Sequence, residues 1–214
     1  MNGLLIVEGL YNGPYDQAMF DSVKAVLELG KADQLKCEFT NHTSFKAWHD
    51  KSWFASEGPI LFRTYMASSF AQPHFNRTAH AQLVIDTVTA LPLDAINMMF
   101  GVQLGGKVSQ PDGGVASTAV SPAFRSAVMM QENDSDWNFE WADKPQIKWA
   151  RRVGDAVASL EGFSGSYVNE PDPSKGQGSS EDLFWGKQAF AGLQKVKRKW
   201  DPADMLNCHQ CVHT

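Results

Sequence analysis

Pro145-Gln146-Ile147-Lys148-Trp149-Ala150-Arg151-Arg152-Val153-Gly154-Asp155-Ala156-Val157-Ala158-Ser159-Leu160 reads as an amphipathic helix. Ile147, Ala150, Val153, Val157 and Leu160 recur at helical spacing, with charges on the opposite side. Pro145 falls in the first turn, where a missing N–H costs nothing. Upstream the pattern changes. Residues 93–105 form a long apolar run that reads as a strand, and residues 59–66 are rich in strand formers. Residues 123–131 read as another strand, which 138–141 extend after a loop. Thr78 is placed to cap a helix carrying Leu83, Val84, Ile85 and Val88. Downstream, residues 162–169 read as a glycine-flanked strand. Ser179 or Ser180 caps a final helix through Leu183, Phe190, Leu193 and Val196, which Asp201-Pro202 stops because a residue before Pro disfavours helix.

Nearer the N-terminus, residues 3–11 and 36–40 read as strands, 15–29 as a helix stopped by Gly30, and 44–51 as a short helix after a Thr43 or Ser44 cap. Strands and helices mix without the strict alternation of a doubly wound parallel sheet. The expected fold class is therefore α+β, a mainly antiparallel sheet with helices on one face.

Composition removes several functions. A net charge of -5 disfavours nucleic acid, whose phosphates demand clustered Lys and Arg. The one basic run, Lys195, Lys197, Arg198 and Lys199, ends the final helix, where cations complement the helix dipole. No apolar run approaches the ~20 residues that span a bilayer, and the first residues lack the basic region of a signal peptide. Three sequons, Asn41-His42-Thr43, Asn76-Arg77-Thr78 and Asn133-Asp134-Ser135, hint at a secretory-pathway parent. Cys208 and Cys211 read as structural, with a disulfide or half of a metal site as alternatives; no second ligand pair supports a metal. The sequence holds no Gly-x-Gly-x-x-Gly, no phosphate loop, no Gly-x-Ser-x-Gly elbow and no His-Glu-x-x-His helix. Its six His are dispersed.

Two blocks carry a resemblance. The first is Gln103-Leu104-Gly105-Gly106-Lys107-Val108 with Ala119-Val120-Ser121-Pro122-Ala123-Phe124-Arg125. The second is Tyr167-Val168-Asn169-Glu170, Phe184-Trp185-Gly186, Lys195-Val196-Lys197, Trp200-Asp201-Pro202 and Cys208-His209-Gln210-Cys211-Val212. In this order they resemble the C-terminal part of the berberine-bridge-enzyme-like FAD-linked oxidoreductases, of the fungal type, within the vanillyl-alcohol-oxidase superfamily. The resemblance implies residues 1–162 as a substrate-binding α+β domain and 163–214 as a C-terminal segment packing back on it. It further implies that the FAD-binding domain, with the residues that attach flavin, lies outside this chain, so that FAD and that domain are its partners together with a small-molecule substrate.

By position in the motifs, the resemblance places Tyr167 and Asn169 beside the flavin. Glu170 stands where relatives commonly have Tyr and is the candidate general base, since burial raises a carboxyl toward the working range. Lys107 is the candidate cation for the reduced flavin, and Gln103 the candidate substrate contact. Arg125 reads as a structural pairing residue. The implied reaction takes a proton and a hydride from an alcohol, saccharide or amine, in a chain expected to be inactive alone. The alternative is a freestanding, non-catalytic α+β ligand-binding module, which would carry polar residues where an oxidase buries apolar surface against its FAD domain.

Overall fold

The computed structural model describes residues 40–51, 63–89, 95–114, 117–175 and 181–214, together with Gln17, Asp21 and Lys24. The elements expected over 3–11 and 36–40 lie outside the described residues, as do most of 15–29 and the Ser179 or Ser180 cap. The chain divides into two compact units, Met1–Pro59 and Ile60–Thr214. In the first, α1 (Phe45–His49) forms where expected, its end closed by Ser44 Oγ accepting from the Ala47 N–H at 3.1 Å.

The second unit contains β1 (Arg63–Ala71), α2 (Arg77–Thr89), β2 (Ala95–Gln103), α3 (Pro122–Ser126), β3 (Met129–Trp137), α4 (Asp143–Ala158), β4 (Phe163–Ser164) and α5 (Lys187–Trp200). The four strands form one sheet in the order β2-β3-β1-β4, and every pairing is antiparallel. The fold class is thus α+β as expected. Helix α4 packs on β1 and β3 and also meets α2.

The core lies between α4 and the sheet. Gln146, Trp149, Ala150, Val153, Gly154 and Val157 are the buried positions of α4. The stripe read from sequence is therefore turned by about one residue: Ile147 is only partly covered, and Gln146 takes an inward place. Tyr65, Trp137, Ala142, Trp149, Ala150 and Val153 form one cluster. Ala71, Val157 and Phe163 form another, while Phe70, Ala127 and Met130 form a third. Full burial of side chains such as Phe70 and Val157 contributes roughly 1.5–3 kcal/mol each.

Several boundaries differ from the sequence reading. The third strand begins at Met129, because Pro122–Ser126 is a short helix, and 139–142 turn into a 3-10 step rather than extending it. The cap of α2 is Asn76, whose Oδ1 accepts from the Ala79 N–H at 3.0 Å, not Thr78. The expected strand over 162–169 shrinks to Phe163–Ser164. Gly162 is what allows it: its φ is 82°, and a Cβ there would lie 2.4 Å from the Phe75 Cα. The last helix is broken into a π-helical turn, Glu181–Trp185, and α5, with Gly186 at φ 72° between them. Asp201 ends α5 as expected.

Candidate active site

Alternation along β3 sorts its side chains between two faces of the sheet. Gln131 and Ser135 meet the helices: Gln131 Oε1 is 2.9 Å from His80 Nε2 of α2, and Ser135 Oγ donates to Gln146 Oε1 of α4 at 3.4 Å. Trp137 Nε1 donates to Asp143 Oδ1 at 2.7 Å, at the start of α4. Glu132, Asp134 and Asp136 consequently belong to the opposite face. Across the strands they pair with Ser68, Met66 and Thr64 of β1, and with Phe100, Met98 and Ile96 of β2. An acidic ridge therefore runs between Ser68, Met66 and Thr64 on one side and apolar residues on the other.

The turn after β4 is pinned to this face at Ser68. The Tyr167 N–H donates to Ser68 Oγ at 2.9 Å, and that hydroxyl donates to the Glu170 carbonyl at 2.8 Å. The Glu170 N–H closes the turn on the Tyr167 carbonyl at 3.1 Å. Because Ser68 pairs with Glu132 across the strands, the pinned turn brings the Glu170 carboxyl into hydrogen-bonding reach of Glu132. Glu170 Oε2 is buried without a partner. Two residues on, Asp172 is held at the helical face, where Oδ1 accepts from the Tyr65 hydroxyl and, at 2.8 Å, from the Ser174 N–H. Arg151 Nε donates to the same Tyr65 oxygen at 3.1 Å. Burial first, and Asp172 second, raise the Tyr65 hydroxyl above its ordinary pKa.

Electrostatics set this ridge apart. Burial first, then the charge of Glu170 and the hydrogen bond to it, then Asp134, push Glu132 up to about 8. Burial and then Asp136 push Asp134 up to about 6, against the opposing hydrogen bonds of Thr64 Oγ1 at 3.0 Å and of the Ser135 backbone. Near neutral pH, Glu132 thus holds a proton next to Glu170.

The sequence-predicted site residues divide into two groups. Tyr167, Asn169 and Glu170 come together: Asn169 Nδ2 donates to the Tyr167 hydroxyl at 2.7 Å, and the Tyr167 ring stacks on Phe124 with centroids 6.3 Å apart. Gln103 and Lys107 do not join them. Gln103 is exposed at the end of β2, in register with Met129 and on the helical alternation of that strand. Lys107 lies in a 3-10 turn, 84% exposed and 2.9 Å from Asp112. Gly106, with φ 57°, turns the chain there and breaks the strand register that would align it with Gln103. Arg125 is structural as read: it donates to the Val108 carbonyl at 2.6 Å and to Thr118 Oγ1 at 3.3 Å. Glu132 and Asp134 were missed. Their signal was the period-two run Glu132-x-Asp134-x-Asp136, unusual in a strand.

The two motif blocks pack on each other. Besides Tyr167 on Phe124, Gly165 lies so close to Ala123 that a Cβ would stand 2.7 Å from the Ala123 Cβ, and at Gly186 a Cβ would meet Pro122 at 3.0 Å. Beyond them, Cys208 and Cys211 are joined by a disulfide. Lys197 binds Asp201 at 2.5 Å and Asp204 at 2.9 Å, and His213 Nδ1 lies 2.7 Å from Asp204, so the tail is fastened to α5. Among the described residues, no three His, Cys, Asp or Glu side chains are grouped to hold a metal, and no helix is long and apolar enough to cross a membrane.

Residues 166–213, which include Tyr167, Asn169, Glu170 and the disulfide, match the berberine and berberine-like family. A FAD-linked oxidoreductase of Gibberella zeae is 36% identical over 96 residues, 43% of this chain and 16% of the relative. Another from Aspergillus flavipes is 33% identical over 103 residues, 47% of this chain and 16% of the relative. The aligned segments thus span about one sixth of these relatives' length. A glycopeptide hexose oxidase solved with teicoplanin shares the fold at TM-score 0.58 and 20% identity, over 71% of this chain and 32% of its own. A VAO-type flavoprotein of Myceliophthora thermophila gives 0.55 and 23%, over 70% and 26%. Over its matched segments the chain thus resembles berberine-like FAD-linked oxidoreductases, and it shares its α+β fold with part of these solved flavoenzymes.

Proposed function

We propose that these residues form the substrate side of an FAD-dependent oxidase site, with the Glu132–Glu170 pair as proton acceptor. The observation that carries this reading is the raised Glu132 carboxyl in reach of Glu170, on the sheet face away from the helices. The described residues fit a flavin from the substrate side only. The acidic ridge offers a pyrophosphate nothing but repulsion, and the sequence has no dinucleotide fingerprint.

A bound flavin supplies the hydride acceptor. The chain's own residues do the rest. Met66, Met98 and Phe100 give the substrate an apolar bed. Glu170 takes the O–H or N–H proton of an alcohol, saccharide or amine, while Glu132, already protonated, stays hydrogen-bonded beside it. Ser68 fixes the distance between the two carboxyl groups by holding the Tyr167–Glu170 turn. On the same proposal Tyr167 and Asn169, already bonded to each other, present a fixed polar edge to the cofactor. Gln103, on the helical alternation at the exposed end of β2, is proposed to touch only a part of the substrate that extends past that strand end. Lys107 supplies its cation after exchanging Asp112 for an anionic partner.

The chain by itself is proposed to be inactive, awaiting a flavin-binding domain. Apolar side chains left in solvent support this: Trp200 is 74% exposed, and Met205 and Leu206 are each 79% exposed. A freestanding binding module would carry polar residues there.

Isotope-edited carboxyl spectroscopy of the chain across pH provides the test. Glu170→Gln is expected to bring the Glu132 titration down from about 8 toward the ordinary carboxyl range. An unmoved Glu132 would remove the pair. Mixing the chain with FAD tests the divided site separately, since a tight stoichiometric complex would contradict it.

A further inference from the structure

We infer that Asn76 is an N-glycan acceptor on the helical side of the molecule, and that Asn133, which carries the same sequence signal, is not. The three sequons read alike in sequence, and the structure separates them. Asn133 lies in β3 between Ala67 of β1 and Met99 of β2, and only 5% of it is exposed. Its Nδ2 donates to the Ala67 carbonyl at 3.4 Å. A sugar on that nitrogen would have to pass through the helical layer packed on that face of the sheet.

Asn76, Arg77 and Thr78 are all exposed, at the junction of the β1–α2 turn and the helix. The cap uses only Oδ1, which accepts from the Ala79 N–H. The atom that a glycan occupies is Nδ2, so modification leaves the cap intact. Placement also keeps the sugar clear of chemistry. His80, one turn further along α2, reaches Gln131 on the helical face of β3, whereas Glu132 belongs to the other face. The Cys208–Cys211 disulfide independently favours an oxidising compartment, where the glycosylation machinery also resides. Asn41, in the N-terminal unit, is exposed too, and is removed from the test for that reason.

The full chain carrying Asn41→Gln, with a cleavable leader ahead of Met1, is translated in the presence of endoplasmic-reticulum microsomes. One endoglycosidase-sensitive mass shift is expected. It is lost on adding Asn76→Asp, which keeps the capping oxygen and removes the acceptor nitrogen, and lost equally on adding Thr78→Ala, which leaves Asn76 in place. It is kept on adding Asn133→Gln. No shift in the Asn41→Gln chain, a shift that survives Asn76→Asp, or a second shift that Asn133→Gln abolishes would each overturn the assignment. Only chains recovered in a protease-resistant, soluble form are read, because the exclusion of Asn133 rests on the folded sheet.

Discussion

Asp201 and Asp204 in the C-terminal tail face Lys197 and His213, whereas the charges that act on Glu132 and Asp134 of β3 are those of other carboxyl groups. The hydrogen bond from Lys197 holds Asp201 below the ordinary carboxyl range, and those from His213 and Lys197 do the same for Asp204. Burial and neighbouring acids drive Glu132 and Asp134 the other way. Acids that the fold satisfies act as scaffold. Acids that it leaves uncompensated cost stability, and such a cost is retained where a ligand or a proton transfer uses it. The tail cluster fastens a segment; the β3 cluster is poised to titrate.

The largest expected effect is at Glu132. A carboxyl raised in the folded state binds its proton more tightly there than in the unfolded chain. Its contribution is therefore fully favourable below the unfolded value and is lost as pH rises through about 8. Each unit is worth about 1.4 kcal/mol, so after solvent screening a few kcal/mol disappear over that window. Glu132→Gln should flatten this slope in denaturant titrations from pH 5 to 9 and leave the variant more stable than the parent at pH 9. A slope that persists would mean that Glu132 is not the acid responsible.

Next in size is Lys197→Met, which should convert the scaffold cluster toward the other kind. Depressed carboxyl groups stabilise above their unfolded pKa, and that stability is lost as pH falls through the folded values. Lys197 is itself raised, first by its bond to Asp201, and its share is lost as pH climbs through the ammonium range. Removing it should lower the melting temperature between those limits, expose the 201–213 tail to proteolysis, and leave the Glu132 titration untouched. Coupling between the two clusters would show as a shifted Glu132.

Much of the scaffold was legible from sequence, and the difference between the clusters explains what was not. Helix α4 announces itself by its apolar period, because it presents one apolar side to the core, and strand β2 by a continuous apolar run that places apolar side chains on both of its faces. Strand β3 does not. Met129-Met130-Gln131-Glu132-Asn133-Asp134-Ser135-Asp136-Trp137 is polar on both faces, since one face bonds to helices through Gln131, Ser135 and Trp137 and the other carries the acids. A reading that looks for apolar alternation slides off it toward 123–131. Glu170 was visible because it departs from the Tyr of its motif. Its partner Glu132 lies 38 positions away by the numbering, and only the Ser68 register and the turn pinned there bring them together. The break at Gly186 was hidden for a similar reason, since it answers a close approach to Pro122 that sequence spacing does not reveal.

A smaller effect is expected at Thr64. Its hydroxyl donates to Asp134 Oδ1 at 3.0 Å and holds that carboxyl down against burial and Asp136. Thr64→Val keeps the shape and removes the donor. Hydrogen bonds to charged groups contribute about 1.5–3 kcal/mol when buried; Thr64 is itself exposed, so roughly one unit of further rise in the Asp134 titration is expected. No rise would mean that the Ser135 backbone bond, not Thr64, opposes burial and Asp136 at Asp134.

The smallest effect belongs to the satisfied face of the same strand. Ser135 is fully buried and donates to Gln146 at 3.4 Å, a long neutral bond. Ser135→Ala should cost about 1 kcal/mol, equally at pH 5 and pH 9, because neither partner titrates there. It should leave Glu132 at about 8, since successive residues of β3 point to opposite faces. A pH-dependent loss in this variant would mean that the two faces of β3 communicate through the backbone, and that the acids are held by the helical layer as much as by the turn at Ser68.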